Sequence, residues 1–226
     1  MSDETVALIP VREGSQRVVG KNFKPFADEK SLLHLKIRQL KAAGCFSRIY
    51  VSSDSAKAEA IAREEGVDFL PREPRLCRSD VRWDEVTDGI LAAVPGDPLV
   101  AWTMTTAPLF EAYKAAVERL KAAGPESNSL LTVLKSREYL LDDKGRPMNC
   151  GFGFWHSYSH ELDPHYVVTG SLYLARKSDQ LRWHYWVGTK PILHEISRFE
   201  CVDVDYPEDF AFAEFLHRAR KVGSLA

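Results

Sequence analysis

Val6-Ala-Leu-Ile9-Pro-Val-Arg-Glu-Gly-Ser-Gln-Arg-Val-Val-Gly-Lys-Asn22 runs from an apolar segment into a loop with two glycines and three cations, Arg12, Arg17 and Lys21. The apolar part, extended back to Thr5, reads as a buried strand. A strand that delivers a cationic glycine loop into a helix suits a polyphosphate. Backbone N–H groups can point at oxygen anions, and the cations neutralise charge. Taken alone, the same loop reads equally well as solvated basic surface. The spacing from Gly14 to Gly20 misses the dinucleotide fingerprint Gly-x-Gly-x-x-Gly, and no Walker sequence is present.

Working outward, the chain alternates. Ser31 is placed to cap a helix from Leu32 to about Ala43, which Gly44 ends. Arg48–Ser52 reads as a second strand ending at Ser53-Asp54, residues 55–65 as a helix and Val67–Leu70 as a short strand. A polar segment, Pro71 to Asp80, interrupts. A helix over 82–94, a strand over Leu99–Thr103, a helix over 111–123 and a strand over Leu130–Leu134 follow. This order predicts an α/β fold, a mainly parallel sheet with helices on both faces. Ligands of such sheets gather outside the carboxyl ends of the strands, so the loops at 10–22, 52–54, 71–80 and 103–108 are expected to meet.

Residues 137–166 break the rhythm. Phe152-Gly-Phe-Trp-His-Ser-Tyr158 is aromatic-rich, which fits an interface or a local apolar cluster. Val167–Leu174 reads as a strand whose central Gly170 would admit a ligand closely. Phe199–Val204 reads as a late strand, and Pro207 opens a last helix with acids in its first turn and bases near its end.

The 226 residues suit one domain spanning 1–226 with a small excursion. A net charge of −2 argues against nucleic acid as a partner. Cys45, Cys77, Cys150 and Cys201 have no zinc or redox spacing, which leaves reduced thiols as the default. No apolar stretch reaches the roughly 20 residues of a membrane span. The acidic N-terminal residues lack a signal-peptide core, so a cytoplasmic location is expected.

Asp203-Val-Asp205 is the sharpest acidic feature. On a strand, residues two apart share a face, and two carboxylates on one face repel unless a cation lies between them. Mg²⁺ takes oxygen ligands and keeps waters and substrate phosphates. The plainer alternative is that Asp205 caps the helix at Pro207 while Asp203 is solvated. With no serine-hydrolase elbow and no cysteine–histidine nucleophile, nucleotidyl or phosphoryl transfer remains.

Several motifs then resemble one family in order along nearly the whole chain. Ile9-Pro-Val-Arg-x-Gly-Ser-x-Arg-x-x-Gly-Lys-Asn22 resembles the N-terminal signature of the sugar-acid cytidylyltransferases, among them the CMP-sialic acid synthetases and their relatives for pseudaminic, legionaminic and 3-deoxy-manno-octulosonic acids. Val51-Ser-Ser-Asp54, the segment from Arg72 through Leu76 to Ser79-Asp80, Thr106-Ala-Pro108, Gly170 with Tyr173, and Asp203-Val-Asp205 resemble later motifs of that family. The resemblance implies a Rossmann-like nucleotidyltransferase domain with a dimerisation excursion at 137–166, and hence a homodimer. It implies CTP and a small acidic acceptor as ligands. Arg12, Gly14, Ser15, Arg17, Lys21, Asn22, Arg72, Ser79 and Asp80 would bind the nucleotide, and Asp203 and Asp205 would hold Mg²⁺. Arg12, Lys21 and Asp205 would carry catalysis. Met104, Thr106, Phe110, Thr169, Gly170 and Tyr173 would face the acceptor.

The chain also departs from the pattern. Gln16 stands where the family commonly has Lys, which loads more phosphate charge onto Arg17. Met104 replaces a Gln, Thr105 a Pro, Phe110 an Arg and Thr169 an Asn. Apolar Met and Phe offer no hydrogen bond to a polyhydroxylated acid, so the expected acceptor shifts. A sialic-acid-like nonulosonate is the leading acceptor. Octulosonate, a phosphonate, transfer of another nucleotide to a sugar phosphate, and an idle nucleotide-binding protein are the alternatives.

Overall fold

Strand β1 (Thr5–Pro10) is apolar along its length because both of its faces are covered. Val6 and Leu8 enter one core cluster; Ala7 and Ile9 enter the other. The computed structural model describes residues 4–14 and 17–223. Ser15 and Gln16, named above for the phosphate loop, lie outside the described residues.

The described elements continue as α1 (Leu32–Ala43), β2 (Arg48–Ser53), α2 (Ala56–Glu64), β3 (Asp68–Pro71), α3 (Trp83–Ala92), β4 (Leu99–Trp102), α4 (Tyr113–Lys121) and β5 (Ser129–Ser136). They end with β6 (His165–Arg176), α5 (Lys177–Trp183), β7 (Pro191–Glu195) and α6 (Pro207–Lys221). One seven-stranded sheet has the order β3-β2-β1-β4-β6-β5-β7. All neighbours are parallel except those of β6, which is antiparallel to both β4 and β5.

Helices α1, α2 and α4 cover one face, while α3 covers the other with Trp186 and Leu181. A third cluster joins Phe26, Leu32 and Leu35 to Val204, Phe210 and Ala213, which seats α6 against α1. The caps follow the sequence: Ser31 accepts from the His34 amide, and Gly44 closes α1 at φ 62°. No helix among the described residues is long and apolar enough to cross a membrane.

Strand order reverses between β1 and β4, and the loops that follow these two strands leave at that crevice. Backbone bonds tie the strand ends together. Val11 N donates to Ser52 O at 2.9 Å, Arg72 N to Ser53 O at 2.9 Å and Thr103 N to Leu8 O at 2.9 Å.

One sequence expectation is corrected here. Phe199–Val204 is not a strand. The Val204 amide donates to Thr106 O at 2.8 Å, on a turn rather than a strand edge, and Val204 is buried under α6. Its alternating valines report burial and not sheet pairing. The late strand is instead Pro191–Glu195, parallel to β5.

At Gly170 a Cβ built on the backbone meets no described protein atom within 4 Å, so the surrounding chain does not exclude a side chain there. Its φ of 71° is the constraint, at a register shift where Leu131 pairs with Tyr173 but Val133 with Val168. Thr132 Oγ1 accepts from Leu172 N at 3.1 Å and fills part of the gap in the ladder. Gly170→Ala should therefore lower stability by roughly 1–2 kcal/mol from backbone strain alone, measured by urea unfolding. An unchanged midpoint would refute that reading.

Candidate active site

Two adjoining cavities occupy the β1/β4 crevice. One, of about 230 Å³, is a largely apolar slot walled by Leu76, Val81, Trp83, Val86, Trp102 and Met104, with Arg12, Arg72 and Ser79 on its polar side. The other, of about 390 Å³, is cationic and holds Arg12, Arg17, Lys21, Asn22, Thr105, Thr106 and Asp205. Pro10, Arg12, Ser79, Trp83 and Met104 border both, so the two are continuous. Gly14, Asp54 and Asp80 line a third opening that also borders Arg12 and Ser79.

The phosphate loop is shaped by Gly20 at φ 62°, where Lys21 N bonds Val18 O and Phe23 N bonds Gly20 O. Lys21 is then held across the crevice. Its ammonium donates to Val204 O at 2.6 Å and meets Asp205 Oδ1 at 3.4 Å. Arg17 Nη2 reaches the same carboxylate oxygen at 3.1 Å, with its guanidinium 4.9 Å from the Tyr206 ring centre. Tyr206 first, and then the Asp205 charge, raise the Arg17 pKa.

Asn22 has a scaffolding geometry. Buried, it donates Nδ2 to Arg12 O at 3.1 Å and accepts from Thr105 Oγ1 at 2.7 Å. Arg72 likewise props the loop, Nη2 to Val11 O at 2.5 Å and Nε to Cys77 Sγ at 2.9 Å. Asp80 is paired with Arg78, which lowers its carboxyl pKa.

Asp203 reaches solvent, yet crowding desolvates its carboxylate. That desolvation, with the Asp205 charge, raises its pKa against a lowering hydrogen bond from Thr106. Asp205 does not cap α6. Asp209 does, its Oδ2 accepting from the Asp205 and Tyr206 amides at 3.0 and 2.8 Å.

Some residues assigned to the acceptor are elsewhere. Phe110 is fully buried, edge-on to Tyr113 at 4.8 Å between centroids and facing His194 at 6.4 Å, so its ring fills the core and lines neither cavity. Thr169 turns its hydroxyl onto Thr132 Oγ1 at 2.8 Å, within the sheet. Tyr173 packs on Trp186 at 4.9 Å, and desolvation pushes its phenol pKa up to about 12. Met104 and Thr106 do face the cavities.

The aromatic wall was not read from the sequence. Trp102 stacks on Trp186 at 4.9 Å, and Trp83 meets Trp186 edge-on at 5.0 Å. Trp102 is locked by its Nε1–H donating to Gln180 Oε1 at 2.6 Å. The available signal was Trp83 opening a helix with Val86 and Ile90 on the same side, one turn apart.

Fold and site thus define an α/β protein whose strand ends hold a cationic cavity against an apolar aromatic slot. Residues 6–146 match the family model described as cytidylyltransferase. The chain belongs to the cytidylyltransferase family. It is 29% identical to the CMP-N,N'-diacetyllegionaminic acid synthase of Legionella pneumophila, over 93% of this chain and 95% of that one. It is 23% identical to an N-acylneuraminate cytidylyltransferase of Streptococcus agalactiae, over 91% of this chain. The chain spans about half, 51%, of that relative's length. A CMP:2-keto-3-deoxy-manno-octonic acid synthetase solved with CTP shares the fold at TM-score 0.65 and 14% identity, over 96% of this chain and 99% of that one. A 4-diphosphocytidyl-2C-methyl-D-erythritol synthase from Anaerococcus prevotii does so at TM-score 0.67 and 13% identity, over 95% and 98%.

Proposed function

We propose that the chain transfers CMP from CTP to the hydroxyl of a sialic-acid-like sugar acid and releases pyrophosphate. The observation that carries this is the cavity where Arg12, Arg17 and Lys21 gather beside Asp205, continuous with a slot sized for a heteroaromatic base. The base enters between Trp83 and Met104, and the triphosphate lies along the cations. The acceptor oxygen attacks the α-phosphorus, the bond to the β-phosphate breaks, and pyrophosphate leaves with the electron pair. Arg12 and Lys21 hold the charge that grows on the leaving group. Asp205 is placed to accept the hydroxyl proton at a carboxylate oxygen.

Asp203 and Asp205 fit Mg²⁺ in donor chemistry. Both offer hard oxygen ligands of the kind Mg²⁺ takes. Bound there, the ion would polarise phosphate oxygens. Arg17 and Lys21 both contact the Asp205 Oδ1 oxygen.

Met104 at the junction of the cavities favours a second reading, an acceptor with fewer hydroxyls such as a phosphonate. Pyrophosphate release with CTP, Mg²⁺ and a panel of nonulosonic acids, octulosonate and phosphonates tests both. Silence across the panel despite CTP binding would sink the transferase reading.

Trp83 gives a direct optical test. CTP should quench tryptophan emission, and Trp83→Leu should remove most of that quench while weakening CTP about tenfold, the scale of lost base–aromatic stacking. An undiminished quench in the variant would place the base elsewhere.

Residues 137–164 leave from the paired ends of β5 and β6 and carry Phe154 at 94% and Trp155 at 80% exposure. We assign this face to a homodimer. Light scattering at micromolar concentration should give twice the chain mass, and a monomer mass would remove the assignment. The described cysteines are free thiols, in keeping with a reducing cytoplasm.

A further inference from the structure

The turn that carries Met104, Thr105 and Thr106 into the cavity is held by an unusual run of bonds. Four successive carbonyls accept from donors on other elements. Thr106 O takes the Val204 amide at 2.8 Å, and Ala107 O takes Lys36 Nζ at 2.8 Å. Pro108 O takes Gln39 Nε2 at 2.6 Å, and Leu109 O takes Arg220 Nη1 at 2.8 Å. The acidic loop hangs from the first of these bonds, and the phosphate loop joins through Thr105 and Asn22.

Among these donors Lys36 stands apart. Its side chain is fully buried, and its other partner is the Tyr113 hydroxyl at 2.5 Å. Its ammonium has only neutral partners in these bonds, an arrangement that costs desolvation energy a hydrocarbon would not incur. Core packing does not call for a cation here, since the apolar residues around it fill the same helix face.

We propose that Lys36 is a positioning residue for the nucleotidyl transfer, fixing the 104–107 turn from beneath and, through the Thr106–Val204 bond, the placement of Asp205. This rests on the transferase reading above. Lys36 touches neither cavity and acts only through the turn.

The charge state of Lys36 supplies an independent handle. The titratable groups facing it are Tyr113, whose phenol burial raises well above its ordinary value, and Glu111, whose charge favours the ammonium. Desolvation outweighs Glu111 and brings the Lys36 pKa down to about 7. Between there and the ordinary lysine value near 10.4 the unfolded chain holds a proton that the folded chain has released. The Lys36 contribution to stability should therefore rise with pH across that window, because the unfolded state binds more protons there. The Cys45, Cys77 and Cys201 thiols, whose pKa burial raises, contribute the opposite slope, so the difference between wild type and Lys36→Met isolates it.

The test compares wild type, Lys36→Met and Tyr113→Phe. Methionine keeps most of the stem volume and removes both the charge and the donor. Lys36→Met should lose about 10- to 100-fold in turnover, the scale of a sub-ångström misplacement, with CTP affinity within about twofold. Tyr113→Phe keeps the bond to Ala107 O and should stay within about threefold of wild type. Hydrogen exchange at the Ala107 and Val204 amides should quicken in Lys36→Met while β1 is unchanged, and the stability of wild type relative to Lys36→Met should rise with pH between about 7 and the ordinary lysine value.

Unchanged turnover, a loss matched by lost CTP affinity, equal losses in the two variants, or unaltered exchange at Ala107 and Val204 would each overturn the proposal. If wild type shows no turnover with any acceptor, the transferase reading fails. The exchange measurement still decides whether Lys36 fixes the turn. If Lys36→Met does not fold, the same turnover and exchange measurements on Lys36→Gln, whose shorter side chain falls short of Ala107 O, replace it: wild-type turnover with unaltered exchange at Ala107 and Val204 overturns the proposal.

Discussion

Asp205→Asn should abolish measurable turnover, a loss of about a thousandfold or more if charge stabilisation and proton acceptance both fail. The carboxylate is the meeting point of Arg17 at 3.1 Å and Lys21 at 3.4 Å, and it is also the acid nearest the phosphate cations. The fold should tolerate the change, because Asp209 rather than Asp205 caps α6. A neutral amide also leaves Arg17 and Lys21 without their anion, so CTP should bind the variant in the absence of Mg²⁺ at least as tightly as it binds wild type. Circular dichroism, calorimetric CTP titration and pyrophosphate release together separate these effects. Turnover above about a tenth of wild type would exclude both the metal-holding and proton-accepting roles.

Arg12→Ala should produce the second large effect, this time on affinity. Arg12 borders the apolar slot, the cationic cavity and the third opening, and its backbone carbonyl is pinned by Asn22. Lysine 21 and Arg17 are engaged with Asp205, whereas the Arg12 side chain makes no hydrogen bond or ion pair among the described residues. An incoming phosphate can therefore bond it without first displacing a carboxylate. Charge-assisted hydrogen bonds of about 1.5–3 kcal/mol imply a weakening of CTP binding by about 10- to 150-fold. Arg12→Lys should recover only part, since an ammonium lacks the planar fork. A dissociation constant within threefold of wild type in Arg12→Ala would remove Arg12 from the phosphate site.

How much of this was legible depends on what each residue reports. β1 was plain because a strand buried on both faces must be apolar throughout, and α1 was plain because Ser31 and Gly44 act locally. Strand β7 was not, being five residues long and opened by Pro191, with a histidine and a glutamate at its end. Residues 199–204 misled because alternation records which side chains are buried, and here burial comes from α6 and not from a neighbouring strand. Phe110 shows the limit of reasoning by position along a motif: a side chain three residues past a pocket turn can point into the core. The Trp83–Trp186–Trp102 wall joins three elements far apart in sequence, and no local pattern encodes such a meeting. The family resemblance supplied the order of the motifs; the geometry supplied the slot, the Asp205 ion pairs and the buried amine.

The Lys21–Val204 hydrogen bond joins residues 183 positions apart. During synthesis the chain carries its basic loop long before the acidic segment that faces it exists. The strands β1 to β4 can pair by shorter crossovers, while this contact must wait until Val204 has been made. The basic loop is therefore made well before its acidic partner, and closing of the crevice follows pairing of the strands that precede residue 204. A refolding experiment should see helix and sheet signals return before nucleotide affinity does.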